Sequence, residues 1–162
     1  MNALRHVTFA AGMVLAPLDA GGAEPAGWQA LADERAVIRI ADAIDRAVDA
    51  QDWKLARSYF ADRVTADFSS LSGQPAANIA SDDLVGAWAA NLKGSKTSLH
   101  LRTNHQVVLE ADAATVCSNG YAWNRMEGNG DPLWEVWGTY EHHLTRSGAG
   151  WMVGRLHIPH DA

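Results

Sequence analysis

Apolar residues follow two different periods along this chain, which divide it into a helical half and a strand-rich half. From Asp33 onward they recur at helical spacing with polar residues between them, as Val37, Ile40, Ile44 and Val48. This spacing predicts a helix with one face in the core, which Asp33 would cap. Together with two shorter patterns of the same kind, it predicts helices over residues 33–49, 53–61 and 82–93.

The second half is dominated by β-prone runs. A short strand is predicted first, where Val64, Ala66 and Phe68 alternate with polar residues. Four long runs separated by turn residues follow: Thr97 to Glu110, Ala113 to Met126, Leu133 to Thr145 and Trp151 to Pro159. Long consecutive strands form antiparallel sheets that twist strongly and curl around helices on one face. We therefore predict an α+β fold, a cone-shaped α+β barrel in which three N-terminal helices pack on a strongly curved, mainly antiparallel sheet and leave a pocket between.

The first 23 residues are organised like a secretory signal. Arg5 precedes a 12-residue apolar run, Val7 to Leu18, which is too short to cross a bilayer as a helix, and small residues follow it. If the segment is cleaved, the protein is periplasmic or secreted and has no membrane contact after processing. If it is an uncleaved amphipathic extension, the protein is cytoplasmic. The predicted organisation is a signal peptide over 1–23, a linker over 24–32 and one domain over 33–160.

Composition excludes several classes of function. The 162 residues include 19 acidic and 13 basic side chains, a net charge of -6, which disfavours binding to nucleic acid. A single cysteine, Cys117, cannot form an internal disulfide or a thiolate zinc site. His142 and His143 are adjacent in a strand and point to opposite faces, so they cannot bind one metal ion together. No phosphate-binding loop, dinucleotide fingerprint or nucleophile elbow is present. We therefore expect no metal and no cofactor.

Two polar residues on otherwise apolar patterns suggest acid–base chemistry. Asp49 follows Val48 at the end of the apolar face of the first helix, and His100 lies in the first long strand. Strand alternation puts His100 on one face with Arg102, Asn104 and Gln106. If this face lines the pocket, the first helix brings Asp49 to the mouth of that pocket, beside His100. A carboxylate beside an imidazole gives a base that works near neutral pH. We predict Asp49 and His100 as catalytic residues. The alternatives are a helix-terminal Asp and a polar face in contact with solvent.

Aromatic residues suggest the kind of ligand. The chain has seven tryptophans, and a pocket lined by several would favour a small, flat, apolar or aromatic molecule. Trp134 and Trp137 have opposite parity, so at most one of them lines the cavity. Arg125 could anchor an acidic group, or could be a solvated strand residue; for each tryptophan the alternative is a core or dimer contact. The predicted substrate-binding residues are Asn104, Trp53, Trp88, Trp123, Arg125 and Trp137.

Four segments between Asp33 and His157 carry a resemblance to a known family: 47–53, 60–68, 99–104 and 138–151. The chain resembles the SnoaL-like domain family of the nuclear transport factor two-like superfamily, which includes polyketide cyclases, dehydratases and dehydrochlorinase-type lyases. This resemblance implies the cone-shaped α+β fold. In the dehydratase-like and dehydrochlorinase-like members an Asp at the end of the first helix and a His on the first long strand form a catalytic dyad, and Asp49 and His100 occupy these positions. Some members have a lysine or another electrophilic group one turn before this Asp. This chain departs from that pattern, because it has Ile44 there.

Three functions fit this sequence. The first is a cofactor-independent lyase or isomerase in which His100, oriented by Asp49, removes a proton next to an activated carbon while Asn104 or Arg125 supports the developing charge. The second is a non-catalytic binder of a small hydrophobic ligand in the same pocket. The third is an interaction module that forms a homodimer through the sheet.

Overall fold

The computed structural model describes residues 26–92, 96–125 and 132–158. The predicted signal peptide and the predicted strand and domain ends at Met126, Pro159 and residue 160 lie outside these ranges. The described elements are α1 (Ala26–Asp49), α2 (Trp53–Ser58), β1 (Phe60–Asp67), α3 (Ser69–Ser72), β2 (Ala77–Ala80), α4 (Ser81–Asn91), β3 (Thr97–Glu110), β4 (Ala113–Arg125), β5 (Leu133–Ser147) and β6 (Gly150–His157). Within the described ranges, no helix combines the length and the hydropathy that crossing a membrane requires.

The six strands form one sheet in the order β2-β1-β6-β5-β4-β3. All neighbouring strands are antiparallel except β1 and β6, which are parallel. The four long runs predicted from the sequence are the strands β3 to β6, and the predicted α+β class is confirmed. The short helix α3 and the short strand β2 add to the predicted elements.

The first helix begins at Ala26 rather than Asp33, so the part of the predicted linker from residue 26 to residue 32 is helical. Asp33 therefore does not cap the helix. Its carboxylate accepts hydrogen bonds from Arg146, from Trp151 Nε1 at 3.2 Å and from Gln29 Nε2 at 3.2 Å. Two of these partners come from β5 and β6, so a tertiary contact holds the carboxylate that the local sequence presents as a cap.

One face of α1 forms the core against the sheet. Val37, Ala41 and Ile44 from the helix are buried with Val116 and Leu144 from the sheet. Burying a valine, leucine or isoleucine side chain stabilises the fold by about 1.5–3 kcal/mol. This packing fixes α1 against β3, so that polar residues flanking the apolar face of the helix meet polar residues on the inner face of the strand.

A β-bulge changes the faces of β3 part-way along the strand. The pairing with β4 shifts between Thr103 and Gln106, and Asn104 there has a φ of 55°. Asparagine tolerates this left-handed conformation better than most residues. Because one extra residue is inserted, His105 and not Asn104 follows His100 and Arg102 on the inner face, and Asn104 is exposed.

Candidate active site

A cavity of about 270 Å³ lies between the helices and the inner face of the sheet. Apolar side chains form much of its wall, including Ile44, Val48, Trp88, Ala122, Trp134 and Val136. Polar side chains enter the wall at a few places, among them Asp45, His100, Arg102, Asn124, Tyr140 and His142. A concave, mainly apolar site with a few convergent polar groups is typical of small-molecule binding sites.

Asp49 and His100 are in direct contact where α1 ends beside β3. Asp49 Oδ1 lies 2.7 Å from His100 Nδ1, and both side chains are 18% exposed. The carboxylate also accepts hydrogen bonds from Ser98 Oγ at 2.7 Å and from the His100 backbone N–H at 2.8 Å. The apolar face of α1 brings Asp49 to this position, and strand alternation brings both Ser98 and His100. Three hydrogen bonds therefore fix the carboxylate against the imidazole that lines the cavity.

The electrostatics of this contact favour an anionic Asp49. Burial raises the pKa of Asp49, but hydrogen bonds from His100 and Ser98 outweigh burial, so the pKa lies below its usual value. An anionic carboxylate only accepts hydrogen bonds, so Nδ1 of His100 carries a proton that it donates to Asp49. In the neutral imidazole the lone pair is then on Nε2, the atom that can take a proton.

A second carboxylate on α1 makes a deeper ion pair. Asp45 accepts two hydrogen bonds from Arg102, one from Nε to Oδ2 and one from Nη2 to Oδ1 at 2.9 Å. The Arg102 and Asp45 side chains are only 6% and 9% exposed. A bidentate ion pair of this kind fixes the plane of the guanidinium as well as neutralising its charge. Asp45 lies one helical turn before Asp49, and Arg102 lies two residues after His100, so the two pairs share one helix and one strand.

The Arg102 guanidinium also lies over an aromatic ring, with Cζ 3.5 Å from the centroid of Tyr140. The ring of Tyr140, a residue of β5, packs against Gly120 on the neighbouring strand β4. A Cβ at Gly120 would lie 2.2 Å from Cε2 of the Tyr140 ring, a distance that no packing tolerates. Glycine at this position therefore permits the stack of Gly120, Tyr140 and Arg102 that supports the cavity wall.

Deeper still, two lining residues carry polar atoms without hydrogen-bond partners among the described residues. These atoms are Nη1 of Arg102 and both ring nitrogens of His142. His142 is fully buried, and burial first, then the charge of Arg102, hold its pKa well below the usual value. His142 is therefore a neutral imidazole at neutral pH.

The structure brings some predicted substrate-binding residues to the cavity and leaves others away from it. Trp88 lines the cavity, and Trp134 does so in place of Trp137. Trp53 packs against the hydrophobic core, and Asn104 is exposed because of the bulge.

Three further predicted residues lie on the outer face of the sheet. Along β4, burial alternates, and the buried residues are the neighbours of Trp123 and Arg125 rather than these two residues themselves. Trp123 and Arg125 instead line a shallow depression on the outer face, together with Tyr121 and Leu133. Trp137 pairs with Tyr121 across the strands and is 54% exposed. The cavity prediction for Trp123, Arg125 and Trp137 is therefore corrected, because the other parity of their strands faces the helices.

The SnoaL-like domain family matches residues 29–157, and the chain belongs to this family. A solved protein from Kribbella flavida is similar with 24% identity and a TM-score of 0.77, covering 82% of this chain and 93% of that one. A candidate scytalone dehydratase from Novosphingobium aromaticivorans is similar with 14% identity and a TM-score of 0.72, covering 84% of this chain and 89% of that one. At these identities the likeness establishes the fold. None of the curated proteins matches the chain.

Proposed function

We propose that this protein is a cofactor-independent lyase or isomerase that acts on a small apolar or aromatic substrate. The observation that carries the proposal is the contact of 2.7 Å between Asp49 Oδ1 and His100 Nδ1 at the wall of a mainly apolar cavity. In this proposal His100 is the catalytic base, and Asp49 is the positioning residue that orients it. The likeness to a candidate scytalone dehydratase supports a reaction of this class.

The proposed first step is the removal of a proton from a carbon next to an activating group. The C–H bond breaks, the proton moves to His100 Nε2, and the electron pair moves toward the activating group. Asp49 stabilises the imidazolium that forms, because its carboxylate already accepts the hydrogen bond from Nδ1. The imidazolium then returns the proton to another carbon, which completes an isomerisation, or gives it to a departing hydroxyl group, which releases water. Either sequence balances without a cofactor.

Deuterium exchange tests this step directly. The protein is incubated in D₂O with α-tetralone, a flat bicyclic ketone whose acidic C–H lies next to the carbonyl, and deuterium incorporation is followed by NMR. We expect incorporation above the rate in buffer for the wild type and loss of this excess in His100→Gln. His105→Gln is the matched control, because His105 lies on the same strand and pairs with an α1 carboxylate, Asp42, at 3.0 Å.

Two results would contradict the proposal. One is an excess exchange rate that survives in His100→Gln, which would remove the base from the mechanism. The other is a wild-type protein that binds α-tetralone but exchanges it no faster than buffer, which would favour the non-catalytic binder of a hydrophobic ligand.

We further propose that the outer face of the sheet binds a second copy of the chain. Leu101 and Trp137 are 53% and 54% exposed, and both neighbour Tyr121 on β4, the strand next to the edge strand β3. These three side chains carry no formal charge, although the chain has a net charge of -6, so the patch that they form adds no like-charge repulsion of its own. The Glu135 carboxylate beside the patch accepts a hydrogen bond from the Tyr121 hydroxyl. In sedimentation velocity we expect a dimer that Leu101→Lys converts to monomer, with Leu55→Lys on α2 as the control. A wild type that stays monomeric at every concentration would overturn this proposal.

A further inference from the structure

The deep part of the cavity offers hydrogen bonds that the described residues do not use. Arg102 commits Nε and Nη2 to Asp45 but leaves Nη1 without a partner, and His142 leaves both ring nitrogens without one. Both residues line the cavity, and their side chains are almost entirely buried. Buried polar groups in folded proteins are nearly always hydrogen-bonded. A molecule in the cavity is therefore the natural partner for the N–H groups among these atoms, and we call Arg102 and His142 the cavity floor.

The charge of the cavity floor limits which ligand group fits it. Asp45 neutralises Arg102 through the bidentate ion pair, and His142 is neutral because it is buried. The floor therefore has no net charge, although it offers N–H donors from the guanidinium and from one imidazole nitrogen. A ligand carboxylate at the floor would face the carboxylate of Asp45, and Arg102, the cation of the floor, is already paired with Asp45. Lys96 also lines the cavity, but it precedes β3 and lies on the other side of His100 along the chain from Arg102. An uncharged oxygen that accepts hydrogen bonds fits this site better.

We infer that Arg102 and His142 bind the carbonyl oxygen of a neutral, otherwise apolar ligand, so that the substrate class is a ketone or an enone. Nη1 of Arg102 supplies the donors to this oxygen, and the N–H of His142 adds another. The apolar remainder of the ligand lies against lining side chains such as Trp88 and Trp134. Arg102 is then a specificity-determining residue.

The cavity floor lies close enough to His100 to take part in the reaction. This step rests on the proposed function, in which His100 is the base. His100 and Arg102 are two residues apart on one face of β3, so their Cα atoms are about 7 Å apart. One small ring system spans this distance, with its carbonyl at Arg102 and an acidic C–H near His100. When the C–H bond breaks, its proton goes to His100 and its electron pair moves through the new C=C bond to the carbonyl oxygen. The Nη1 donors of Arg102 would stabilise that oxyanion.

Binding of three matched probes tests the cavity floor by calorimetry. The probes are α-tetralone, with a carbonyl; tetralin, without one; and 1,2,3,4-tetrahydro-1-naphthoate, with a carboxylate. For the wild type we expect α-tetralone to bind about tenfold more tightly than tetralin, the gain of one good hydrogen bond. We expect the carboxylate to bind more weakly than the ketone.

Two variants and a control locate the effect. The double variant Asp45→Leu/Arg102→Met replaces the ion pair by apolar side chains of similar size, which proteins tolerate better than loss of one partner. We expect it to bind α-tetralone and tetralin about equally. His142→Leu should lose part of the preference and leaves the ion pair intact if the double variant does not fold. The control Asp42→Asn/His105→Gln changes another pair between α1 and β3 and should keep the full preference.

Each contrary outcome overturns a defined part of the inference. Equal binding of α-tetralone and tetralin to the wild type would mean that the cavity floor binds only water. Tightest binding of the carboxylate would mean that it recognises charge. A ketone preference that persists in both variants would place the oxygen elsewhere. The proposed function fails separately. A ketone preference without deuterium exchange would remove the role of His100 as a base and keep the cavity floor. Deuterium exchange without a ketone preference would keep His100 as the base and remove the cavity floor.

Discussion

Asp45 and Asp49 lie one turn apart on the same helix, yet their environments differ in the property that matters for chemistry. Asp49 holds an imidazole at a partly exposed position, with both side chains 18% exposed. Asp45 holds a guanidinium in a buried position, with side chains that are 9% and 6% exposed. An imidazole exchanges its proton near neutral pH, whereas a guanidinium never does. One helix face therefore uses two aspartates for two purposes: Asp49 forms a proton-transfer pair, and Asp45 fixes a hydrogen-bond donor.

The largest expected effect tests the Asp49 side of the comparison. Asp49→Asn leaves the cavity in place but replaces an anion that orients and stabilises the imidazolium by a neutral amide. We expect excess deuterium exchange of α-tetralone to fall about 100-fold or more, while its dissociation constant changes little. Asp42→Asn is the matched control on the same helix and should exchange like the wild type. An Asp49→Asn protein with wild-type exchange would show that the contact has no part in proton transfer.

The next effect tests the Asp45 side. Asp45→Ala leaves the Arg102 guanidinium buried without its counter-ion, and removal of one partner of a buried pair costs about 3–5 kcal/mol. We expect a loss of this size in the free energy of unfolding measured in urea. The double variant Asp45→Leu/Arg102→Met should lie much closer to the wild type, because no charge stays buried. Equal losses in the single and the double variant would contradict this account.

Sequence periodicity predicted most of the fold because it reports local geometry. The apolar stripe of α1 and the alternation of the four long strands were both visible in the pattern of residues. Two features were not, because tertiary contacts or local irregularity determine them. Asp33 resembles a helix cap until Arg146 and Trp151 are brought beside it. The short strand β2 (Ala77–Ala80) has no marked alternation and forms by pairing with β1.

The candidate site was predictable only in part. Asp49 and His100 stand out because each is polar at the edge of a regular pattern. Asn104 was assigned to the cavity face because alternation was extended through the bulge. Arg102 and His142 were not assigned to the site, although a signal existed: His142 shares the inward parity of its buried neighbours Tyr140 and Leu144. A polar residue at such a position indicates either a buried hydrogen bond or a ligand contact.

A smaller effect tests the support of the deep pair. Gly120→Ala would place a methyl group within the Tyr140 ring, so the ring must move and its contact with the Arg102 guanidinium is disturbed. Overpacking of this kind costs about 1–3 kcal/mol in the free energy of unfolding. We also expect a weaker preference for α-tetralone over tetralin, because the guanidinium loses its aromatic support. Gly154→Ala in β6 has open space at the added carbon and serves as the control. Unchanged stability and preference in Gly120→Ala would contradict the proposed stack.

The smallest expected effect concerns Asp33, a third carboxylate on α1 that lies outside the cavity wall. The hydrogen bond from Arg146 lowers the pKa of Asp33 to about 2, with further contributions from Trp151 and Gln29 and against the effect of burial. Because the pKa is lower in the folded state than its usual value of 3.8, Asp33 stabilises the fold above that value and loses this contribution as the pH falls toward about 2. Asp33→Asn should therefore be less stable than the wild type at neutral pH and should lose less stability on acidification. Urea unfolding at neutral pH and through the acid range measures both, with Glu34→Gln as the exposed control. Asp67, whose pKa is also about 2, leaves a residual acid sensitivity in every variant. An acid sensitivity that is the same in Asp33→Asn and in the wild type would show that the contact with Arg146 does not stabilise the ionised carboxylate.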